Sequence, residues 1–523
     1  MLTLSNPTVK IFNESDVVPI TNFKCLKNQS YAFQVFFTAE KDGDFKVKLA
    51  TDLDACIYQV LKLKGDYYYE KNVDDYYVYR DDHMYPELLR KVDTVTLKKG
   101  ETATLYISVS DKEKTACDHD ITVLIGDEKT GITLTVLDKS LVDTDLKITH
   151  WLHMDGICRI YNVAPFTKEF YDIFDQFLTA YVGLGNTMAL VPMFTPPLDT
   201  AVGGERLTVQ LVKVDKINGE YKFDLSKLDE YIDFCTDHGI KYFELSHLFT
   251  QWGGEFCPKV IATVDGKEER IFGWDISSES AEYQEFLTAY MKVFVPYLEN
   301  KGIKDKCVMH LTDEPHGPHV ERYVRLSKFI KSINGGITTF DALSHYDYYK
   351  LGAVDLPAVT IGSSEYDLFD KSKILAYYCC SEHENYLTNR FFHMPLSRTE
   401  TLGQLLYNEG VKGFLQWGYN FYNKRLSVGP VNPYEDTTAG PEGFPAGDSF
   451  LVYPGEKEIE YSIRYFAIKR SFEDYRLLKT LETVKGRDFV INLLREFKYI
   501  DRFNYQHNPT WVADLRTKIY EML

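Results

Sequence analysis

Two adjacent carboxylates follow a short apolar stretch near the middle of the chain. Residues 307–311 are mostly apolar, which is typical of a buried strand. Asp313 and Glu314 come soon after it, and Pro315 then stops regular structure. Barrels of parallel strands carry their chemistry where the strands end. We therefore predict that Asp313 and Glu314 are the catalytic pair of a sugar-cleaving enzyme; a solvated acidic turn is the plainer alternative.

Polar and aromatic side chains also follow the other predicted strands of this region. In a parallel barrel they gather at one end. Trp252 and Trp417 could stack on sugar rings, although a single Trp is more often part of a core. The predicted substrate-binding residues are His153, Asp155, His247, Trp252, Glu365, Tyr378, Trp417, Tyr419 and Asn420. Further strand-end positions are Asp199, Asp341, His345, Glu382 and His383.

Metal and nucleophile chemistry are less favoured than a carboxylate pair. Asp313, His316 and His319 could bind a cation, but Pro318 breaks the turn, so the two imidazoles do not share a helical face. His310 lies within the predicted strand and is expected to be a satisfied barrel residue. No Ser nucleophile elbow is present in the sequence. We predict that the protein uses no metal and no cofactor.

Composition and charge restrict the partners. The chain has 59 basic and 77 acidic residues, a net charge of −18, which disfavours nucleic acid and anionic membranes. No apolar run reaches the roughly 18 residues of a membrane span. The N-terminus lacks a signal-peptide pattern, and nine cysteines without a C-x-x-C pair indicate reduced thiols. We therefore expect a cytoplasmic protein whose partner is a carbohydrate, with an oligomer left open.

The first 145 residues are rich in short strand patterns. Segments such as 31–37 and 102–109 contain many strand-forming residues, and turn signals such as Asp42-Gly43 separate them. We predict an N-terminal β-sandwich at residues 1–145. The segment 66–85, with seven Tyr and five Asp, fits neither helix nor strand spacing. It is expected to be a long loop that reaches toward a neighbouring site.

Predicted strands alternate with predicted helices from residue 148 onward. The eight strands are placed at 148–152, 187–191, 240–245, 307–311, 336–340, 358–361, 374–379 and 413–417. Without a Gly-rich phosphate motif, this alternation favours a (β/α)8 TIM-type barrel over an open doubly wound sheet. Helices between the fifth, sixth and seventh strands have to be short. The predicted α/β protein thus has a sandwich, a barrel at 148–485, and C-terminal helices at 486–523 packed on it.

Several sequence blocks in this order resemble glycoside hydrolase family 123 and its wider group of related catalytic domains. The resemblance covers roughly residues 150–480 and, more loosely, the region before it. The blocks are 151–155 (WLHMD), 310–315 (HLTDEP), 377–380 (YYCC), 413–417 (GFLQW), 447–455 (GDSFLVYPG), and 462–475, which begins with SIR and ends with EDY.

The resemblance implies an exo-acting β-N-acetylgalactosaminidase that retains configuration by substrate assistance. In that mechanism the acetamido oxygen of the sugar is the nucleophile. The roles of the adjacent Asp-Glu motif carry over to Asp313, which stabilises the acetamido group, and to Glu314, the acid/base. Two alternatives stay open. One is a carbohydrate-binding protein without activity. The other is a retaining glycosidase on another sugar, with Glu365 or Asp341 as nucleophile.

Overall fold

The N-terminal part of the computed structural model consists of two β-sheets. The structure describes residues 2–66, 74–378, 384–441 and 443–523 of the 523-residue chain. The first ten strands are β1 (Leu2–Ser5), β2 (Asn22–Leu26), β3 (Tyr31–Thr38), β4 (Gly43–Ala50), β5 (Ala55–Gly65), β6 (His83–Lys91), β7 (Thr94–Leu97), β8 (Thr102–Val109), β9 (Asp118–Ile125) and β10 (Glu128–Leu137). One sheet contains β1-β3-β8-β5-β6, and the other has the order β2-β10-β9-β4-β7.

The two N-terminal sheets share one apolar core. Alternate residues of the strands face it, such as Phe33, Val35 and Phe37 of β3, and they meet Ile121 and Val123 of β9. Strand β9 shows the period of two of a sheet with one buried face, whereas β3 is buried on both faces. The all-β prediction for this part is therefore confirmed.

An eight-stranded parallel sheet forms a nearly closed barrel. Its strand order is β11-β22-β21-β20-β19-β18-β15-β12. The later strands in chain order are β11 (Lys147–His150), β12 (Met188–Val191), β13 (Lys213–Ile217), β14 (Glu220–Asp224), β15 (Tyr242–Leu245), β16 (Val260–Val264), β17 (Lys267–Phe272), β18 (Cys307–His310), β19 (Thr338–Leu343), β20 (Leu356–Thr360), β21 (Leu375–Tyr377), β22 (Gly413–Gln416), β23 (Val452–Tyr453) and β24 (Glu460–Ser462).

The barrel closes between its first two strands. The Thr187 N–H, just before β12, donates to the Ile148 carbonyl of β11 at 3.0 Å. The Ile148 N–H donates to the Thr187 hydroxyl at the same distance. All eight predicted barrel strands are present, each shifted by a few residues at most. The arrangement is consistent with a TIM-type barrel.

Helices cover the outside of the barrel and end the chain. They are α1 (Met154–Tyr161), α2 (Lys168–Leu184), α3 (Ser226–Asp237), α4 (Ala281–Lys301), α5 (Val320–Ile333), α6 (Asp347–Lys350), α7 (Leu396–Glu400), α8 (Leu402–Glu409), α9 (Ile463–Lys485), α10 (Arg487–Glu496) and α11 (Trp511–Tyr520). The short α6 between β19 and β20 confirms the expected shortening there. None of the helices in the described ranges has the length and apolar character to cross a membrane.

A small sheet and a link between the two parts of the chain were not predicted from the sequence. Strands β14-β13-β16-β17 form a separate four-stranded sheet. Strands β23 and β24, from the segment after β22, extend the first N-terminal sheet beside β6. At this junction, buried Arg464 of α9 forms an ion pair with buried Glu87 of β6 at 2.7 Å. The predicted boundaries at 145 and 485 stay predictions.

The Tyr-rich segment 66–85 is only partly a loop. Residues from His83 onward belong to β6, and positions 67–73 lie outside the described ranges. Asp74 pairs with Arg398 of α7 at 2.9 Å. The Val78 N–H donates to the His393 carbonyl at 2.8 Å. The described part of the segment therefore contacts the barrel loop that follows β21.

Candidate active site

The predicted catalytic pair lies after the carboxyl end of β18, where the backbone leaves the barrel. Glu314 has φ of 42°, in the left-handed region that residues other than glycine rarely adopt. Side chains on a regular strand alternate between its two faces. The left-handed residue interrupts this alternation, so Asp313 and Glu314 are not forced onto opposite sides. Both residues are half-buried.

The loop after β15 holds the backbone of the pair. The Trp252 N–H donates to the Asp313 carbonyl at 2.7 Å. Trp252 is half-buried and has φ of 58°. Its neighbour Gly253 has φ of 106°, and a Cβ at that position would lie 2.3 Å from the His319 ring. Glycine is therefore required at 253, and Trp252 is placed beside the predicted pair.

Tyr377, which was not among the predicted site residues, contacts the predicted acid/base. Its hydroxyl donates to Oε1 of Glu314 at 2.5 Å. The adjacent Tyr378 points to the other side of β21, where it is fully buried and lies edge-on to Phe414. The contact of Tyr378 with substrate stays a prediction. Strand alternation along β21 was the signal that could have selected Tyr377.

Asp313 lies in a strongly acidic environment. Burial and the charge of Glu314 raise the pKa of Asp313 well above its ordinary value. Asp199, in the loop after β12, adds a third acid. Burial raises the pKa of Asp199 to about 6, and the Glu314 charge acts in the same direction. Asp199 has φ of 38°, and its Oδ2 accepts the Leu426 N–H at 2.8 Å. Three carboxylates thus interact electrostatically at this end of the barrel.

A histidine is held between two buried carboxylates on the strands beside the pair. Nε2 of His310 lies 2.5 Å from Oε1 of Glu244, and Nδ1 lies 2.9 Å from Oδ1 of Asp341. Burial opposes the imidazolium charge, but hydrogen bonds to Asp341 and Glu244 raise the pKa of His310 to about 9. The expectation of a satisfied barrel histidine is confirmed. The sequence did not identify Glu244 as its partner.

His247 belongs to this buried layer. Only 1% of its surface is exposed, and its ring stacks on His310 with centroids 3.9 Å apart and planes inclined by 18°. Neither ring nitrogen of His247 has a hydrogen-bond partner among the described residues. Burial, together with the charge of His310, lowers the pKa of His247 well below its ordinary value. The position of His247 is enclosed, and its contact with substrate stays a prediction.

Arg206 brings the predicted residues His153 and Asp155 together. Its guanidinium donates to both carboxylate oxygens of Asp155, at 2.6 and 3.1 Å. Although burial opposes ionisation, Arg206 lowers the pKa of Asp155 to about 2. Burial and Arg206 lower the pKa of His153 to about 4. Both predicted residues are buried at 3% exposure or less and are bound by protein groups. Their contact with substrate stays a prediction.

Two residues after β22 have structural partners. The Asn420 side chain accepts the His153 N–H at 2.8 Å and donates to the His153 carbonyl at 3.1 Å. Tyr419 is fully buried against Tyr181, and its hydroxyl donates to the Phe177 carbonyl at 3.2 Å. The polar groups of Tyr419 and Asn420 thus join protein elements, and their contact with sugar stays a prediction.

Trp417 directly follows the carboxyl end of β22 and is 9% exposed. Its ring makes edge contacts with Phe421 and Phe444, at centroid distances of 5.1 and 4.7 Å. The indole N–H donates to Oδ2 of Asp448 at 3.2 Å. The Trp417 carbonyl accepts from Nε2 of His153 at 2.9 Å. A sugar-platform role for Trp417 and Trp252 stays a prediction.

Glu365 lies apart from the central group. Its carboxylate accepts the Tyr346 N–H at 2.7 Å and lies 3.3 Å from Nδ1 of His345. These two contacts lower the pKa of Glu365. Its substrate contact stays a prediction. The strand-end positions Glu382 and His383 lie outside the described residues.

One group of metal-type ligands exists in the described ranges. Donor atoms of His247, His310 and Asp341 lie within 4.8 Å of one another. The two imidazoles are nearly parallel and stacked. Their lone pairs lie in the ring planes, so they do not converge on one ion. His310 also has both nitrogens engaged with carboxylates, and the set does not fit a metal.

Comparison with known proteins identifies the family. Residues 151–481 match the glycoside hydrolase 123 catalytic domain. A family 123 glycoside hydrolase from Clostridium perfringens, described in connection with glycolipid glycan hydrolysis, has a TM-score of 0.75 at 15% identity. The alignment covers 100% of this chain and 97% of that one. A GH2 β-galacturonidase from Eisenbergiella tayi gives a TM-score of 0.31 at 10% identity, over 90% and 95% of the two chains.

No curated protein sequence matches the chain significantly. The catalytic-domain match extends over more than half of the chain and includes both Asp313 and Glu314. The similarity to the C. perfringens structure concerns the fold and spans the whole chain. On the strength of the domain match, the chain belongs to glycoside hydrolase family 123 and is an enzyme that hydrolyses glycosides.

Proposed function

We propose that the enzyme removes a terminal β-linked 2-acetamido sugar, with N-acetylgalactosamine favoured, and retains its configuration by substrate assistance. The observation that carries the proposal is the consecutive pair Asp313 and Glu314, with Glu314 in a left-handed conformation. Such a bend allows the side chains of two consecutive acids to contact the same sugar. An exo-acting enzyme needs only the non-reducing end of its glycan in this position.

Glu314 is proposed as the general acid and base. Protonation of the bridging oxygen assists departure of the leaving group. The Tyr377 hydroxyl holds Oε1 of Glu314, which fixes the orientation of the carboxyl group. After the aglycone leaves, the same carboxylate accepts a proton from the water that opens the cyclic intermediate. One residue thus takes both proton-transfer roles.

Asp313 is proposed to orient the acetamido group. Its carboxylate accepts the amide N–H while the carbonyl oxygen attacks the anomeric carbon, and it then stabilises the oxazolinium charge. The role requires an ionised carboxylate, and the positive charge of His310 favours that form against burial and the charge of Glu314. The carbonyl of Asp313 is held by Trp252, so the residue enters the reaction with a fixed backbone.

The other carboxylates are less suitable as enzymic nucleophiles than the sequence suggested. Asp341 is buried and accepts bonds from His310, Tyr323 and two backbone amides. Glu365 is engaged with Tyr346 and His345. Asp199 is the better candidate for the alternative of a retaining glycosidase on another sugar, because its charge interacts with Glu314. The alternative of a non-catalytic binding protein is disfavoured by the match to a catalytic domain.

The glycan end of a glycolipid is a reasonable substrate class to test. The C. perfringens family member is described by its action on glycolipid glycans. At 15% identity the similarity concerns the fold. We propose the end of such a glycan as the substrate of this chain. Trp252, half-buried beside Asp313, is the proposed stacking surface for the sugar.

The roles of the pair are tested with leaving groups of different quality. Glu314→Gln removes the proton donor, so aryl glycosides with poor leaving groups should slow by about 10²–10⁴-fold, while activated ones are partly spared. Asp313→Asn leaves the acid in place, so both substrate classes should slow together. If Glu314→Gln slows both classes equally, the acid assignment is wrong.

A further inference from the structure

The His310 imidazole is surrounded by groups that can only accept its protons. A neutral imidazole donates from one nitrogen, whereas both nitrogens of His310 face carboxylates. Glu244 also accepts from the Trp151 indole at 2.6 Å and from the Thr149 hydroxyl at 2.8 Å. An indole N–H can only donate, so the acceptor character of Glu244 is fixed. Both oxygens of Glu244 therefore serve as acceptors, which matches an imidazolium at His310.

Asp341 has the same acceptor character. Its Oδ1 accepts the Leu311 N–H at 3.1 Å, and its Oδ2 accepts the Thr312 N–H at 3.2 Å and the Tyr323 hydroxyl at 2.5 Å. With His310 on Oδ1, two donors approach each oxygen. Burial alone raises the pKa of Asp341, but these donors and the His310 charge oppose that rise. Asp341 therefore depends on the positive charge of His310 to remain ionised.

This buried group is directly coupled to the catalytic pair. Leu311 and Thr312, whose amides Asp341 holds, are the two residues before Asp313. The positive charge of His310 lowers the pKa of Asp313, whereas the charges of Glu314 and Asp341 raise it. Glu244 and His247 face His310 from the β15 side, Asp341 from β19, and Trp151 from β11.

We infer that His310 is a buried, permanently protonated positioning residue for the reaction proposed above. It neutralises one of its two carboxylate partners, keeps Asp341 clamped on the backbone before Asp313, and favours the ionised form of Asp313 when the acetamido group binds. His310 itself neither gains nor loses a proton during the reaction. The neutral His247 ring packs on its face and adds no competing charge.

The protonation state is tested on the wild-type protein without any assay of activity. Nitrogen-15 histidine spectra are compared with those of His310→Gln, which assigns the signal. We expect both ring nitrogens of His310 to carry protons from pH 6 to pH 8. The upper limit of this range is about 1.5 units above the ordinary histidine pKa. A neutral His310 tautomer at pH 7 would overturn the inference, whatever the substrate of the enzyme proves to be.

The effect on Asp313 is tested by the pH profile of kcat/KM for an aryl 2-acetamido glycoside. Loss of a positive charge in His310→Gln should move the acid limb upward by roughly one pH unit or more. His150→Gln is the matched control, because His150 also ends a buried barrel strand and bonds to neutral Asn186. Burial lowers the pKa of His150 to about 3, so its loss removes no charge.

The two outcomes separate this inference from the proposed function. An unshifted acid limb in His310→Gln, or an equal shift in His150→Gln, would overturn the positioning role. If the wild-type enzyme does not cleave the 2-acetamido glycoside at all, the proposed function fails. The spectra still decide whether His310 carries its charge in that case.

Discussion

At the residue scale, the site depends on the face of the strand that each side chain takes. Tyr377 and Tyr378 are neighbours of the same type, but only Tyr377 reaches Glu314. Tyr378 is buried on the other side, and its hydroxyl has no partner in the described part of the chain. Tyr377 and Tyr378 therefore provide a test variant and its control at adjacent positions.

Tyr377→Phe should lower kcat/KM about tenfold or more. The change removes the hydroxyl that orients the Glu314 carboxyl group, and a buried polar group that loses its partner costs on the order of 1–3 kcal/mol. Steady-state kinetics with an aryl glycoside measure the effect. Tyr378→Phe should leave kcat/KM unchanged. Equal effects of the two substitutions would refute the role given to the Glu314–Tyr377 contact.

At the scale of elements, loops from different strands are joined by buried polar contacts. Arg206, after β12, binds Asp155 at the start of α1. Asn423, after β22, donates to the same carboxylate at 3.2 Å. The segments that follow β11, β12 and β22 are thereby joined at the buried Asp155 carboxylate. Removing one partner of such a pair leaves an uncompensated charge in the interior.

Asp155→Asn should destabilise the protein by about 3–5 kcal/mol at pH 7, because Arg206 loses its counter-charge. The folded-state pKa of Asp155 is about 2, below the ordinary value of about 3.9. Its contribution is therefore present above about pH 4 and is lost as the pH falls toward about 2. Urea unfolding at several pH values measures the difference from wild type.

The control for this prediction is an exposed ion pair. Asp275 binds Arg270 with a carboxylate side chain that is 63% exposed. Asp275→Asn should change stability little, because surface pairs are screened by water. If Asp155→Asn is as stable as Asp275→Asn at pH 7, the buried pair does not hold the loops together.

The sequence predicted those elements whose local pattern matches their burial. The barrel strands are short apolar runs because parallel strands are buried on both faces. The sheet of β13, β14, β16 and β17 was missed because strands such as Lys267–Phe272 are largely charged and exposed. The ion pair of Asp155 and Arg206 joins residues 51 positions apart, and no local period indicates such a contact. The side of the strand that Tyr378 and Tyr419 take depends on the exact limits of the strand. Sequence patterns do not fix those limits to the residue.

At the scale of the whole molecule, the N-terminal sheets and the barrel share structure. Strand β24 pairs with β6 through Ser462 and Leu88. Arg464 then donates to both oxygens of Glu87 and to the carbonyls of Gly447 and Phe450. This junction connects the segment after β22 with the first sheet. The two parts should therefore unfold together.

Glu87→Gln should lower the free energy of unfolding by about 3–5 kcal/mol, because Arg464 stays buried without its partner. We expect one cooperative transition in calorimetry, shifted to lower temperature. Glu458→Gln is the control, since the Glu458 side chain is 57% exposed and pairs with exposed Lys91 at 3.7 Å. Two separate transitions in Glu87→Gln, with the later one at the wild-type temperature, would contradict the shared junction.

The central claim is that the sugar supplies its own nucleophile. It is tested most directly by kcat/KM of the wild-type enzyme for an aryl β-N-acetylgalactosaminide and for the aryl β-galactoside with the same leaving group. Substrate assistance requires the acetamido oxygen. We predict turnover of the first compound and essentially none of the second. Equal turnover of both would contradict substrate assistance and transfer the nucleophile to an enzymic carboxylate such as Asp199.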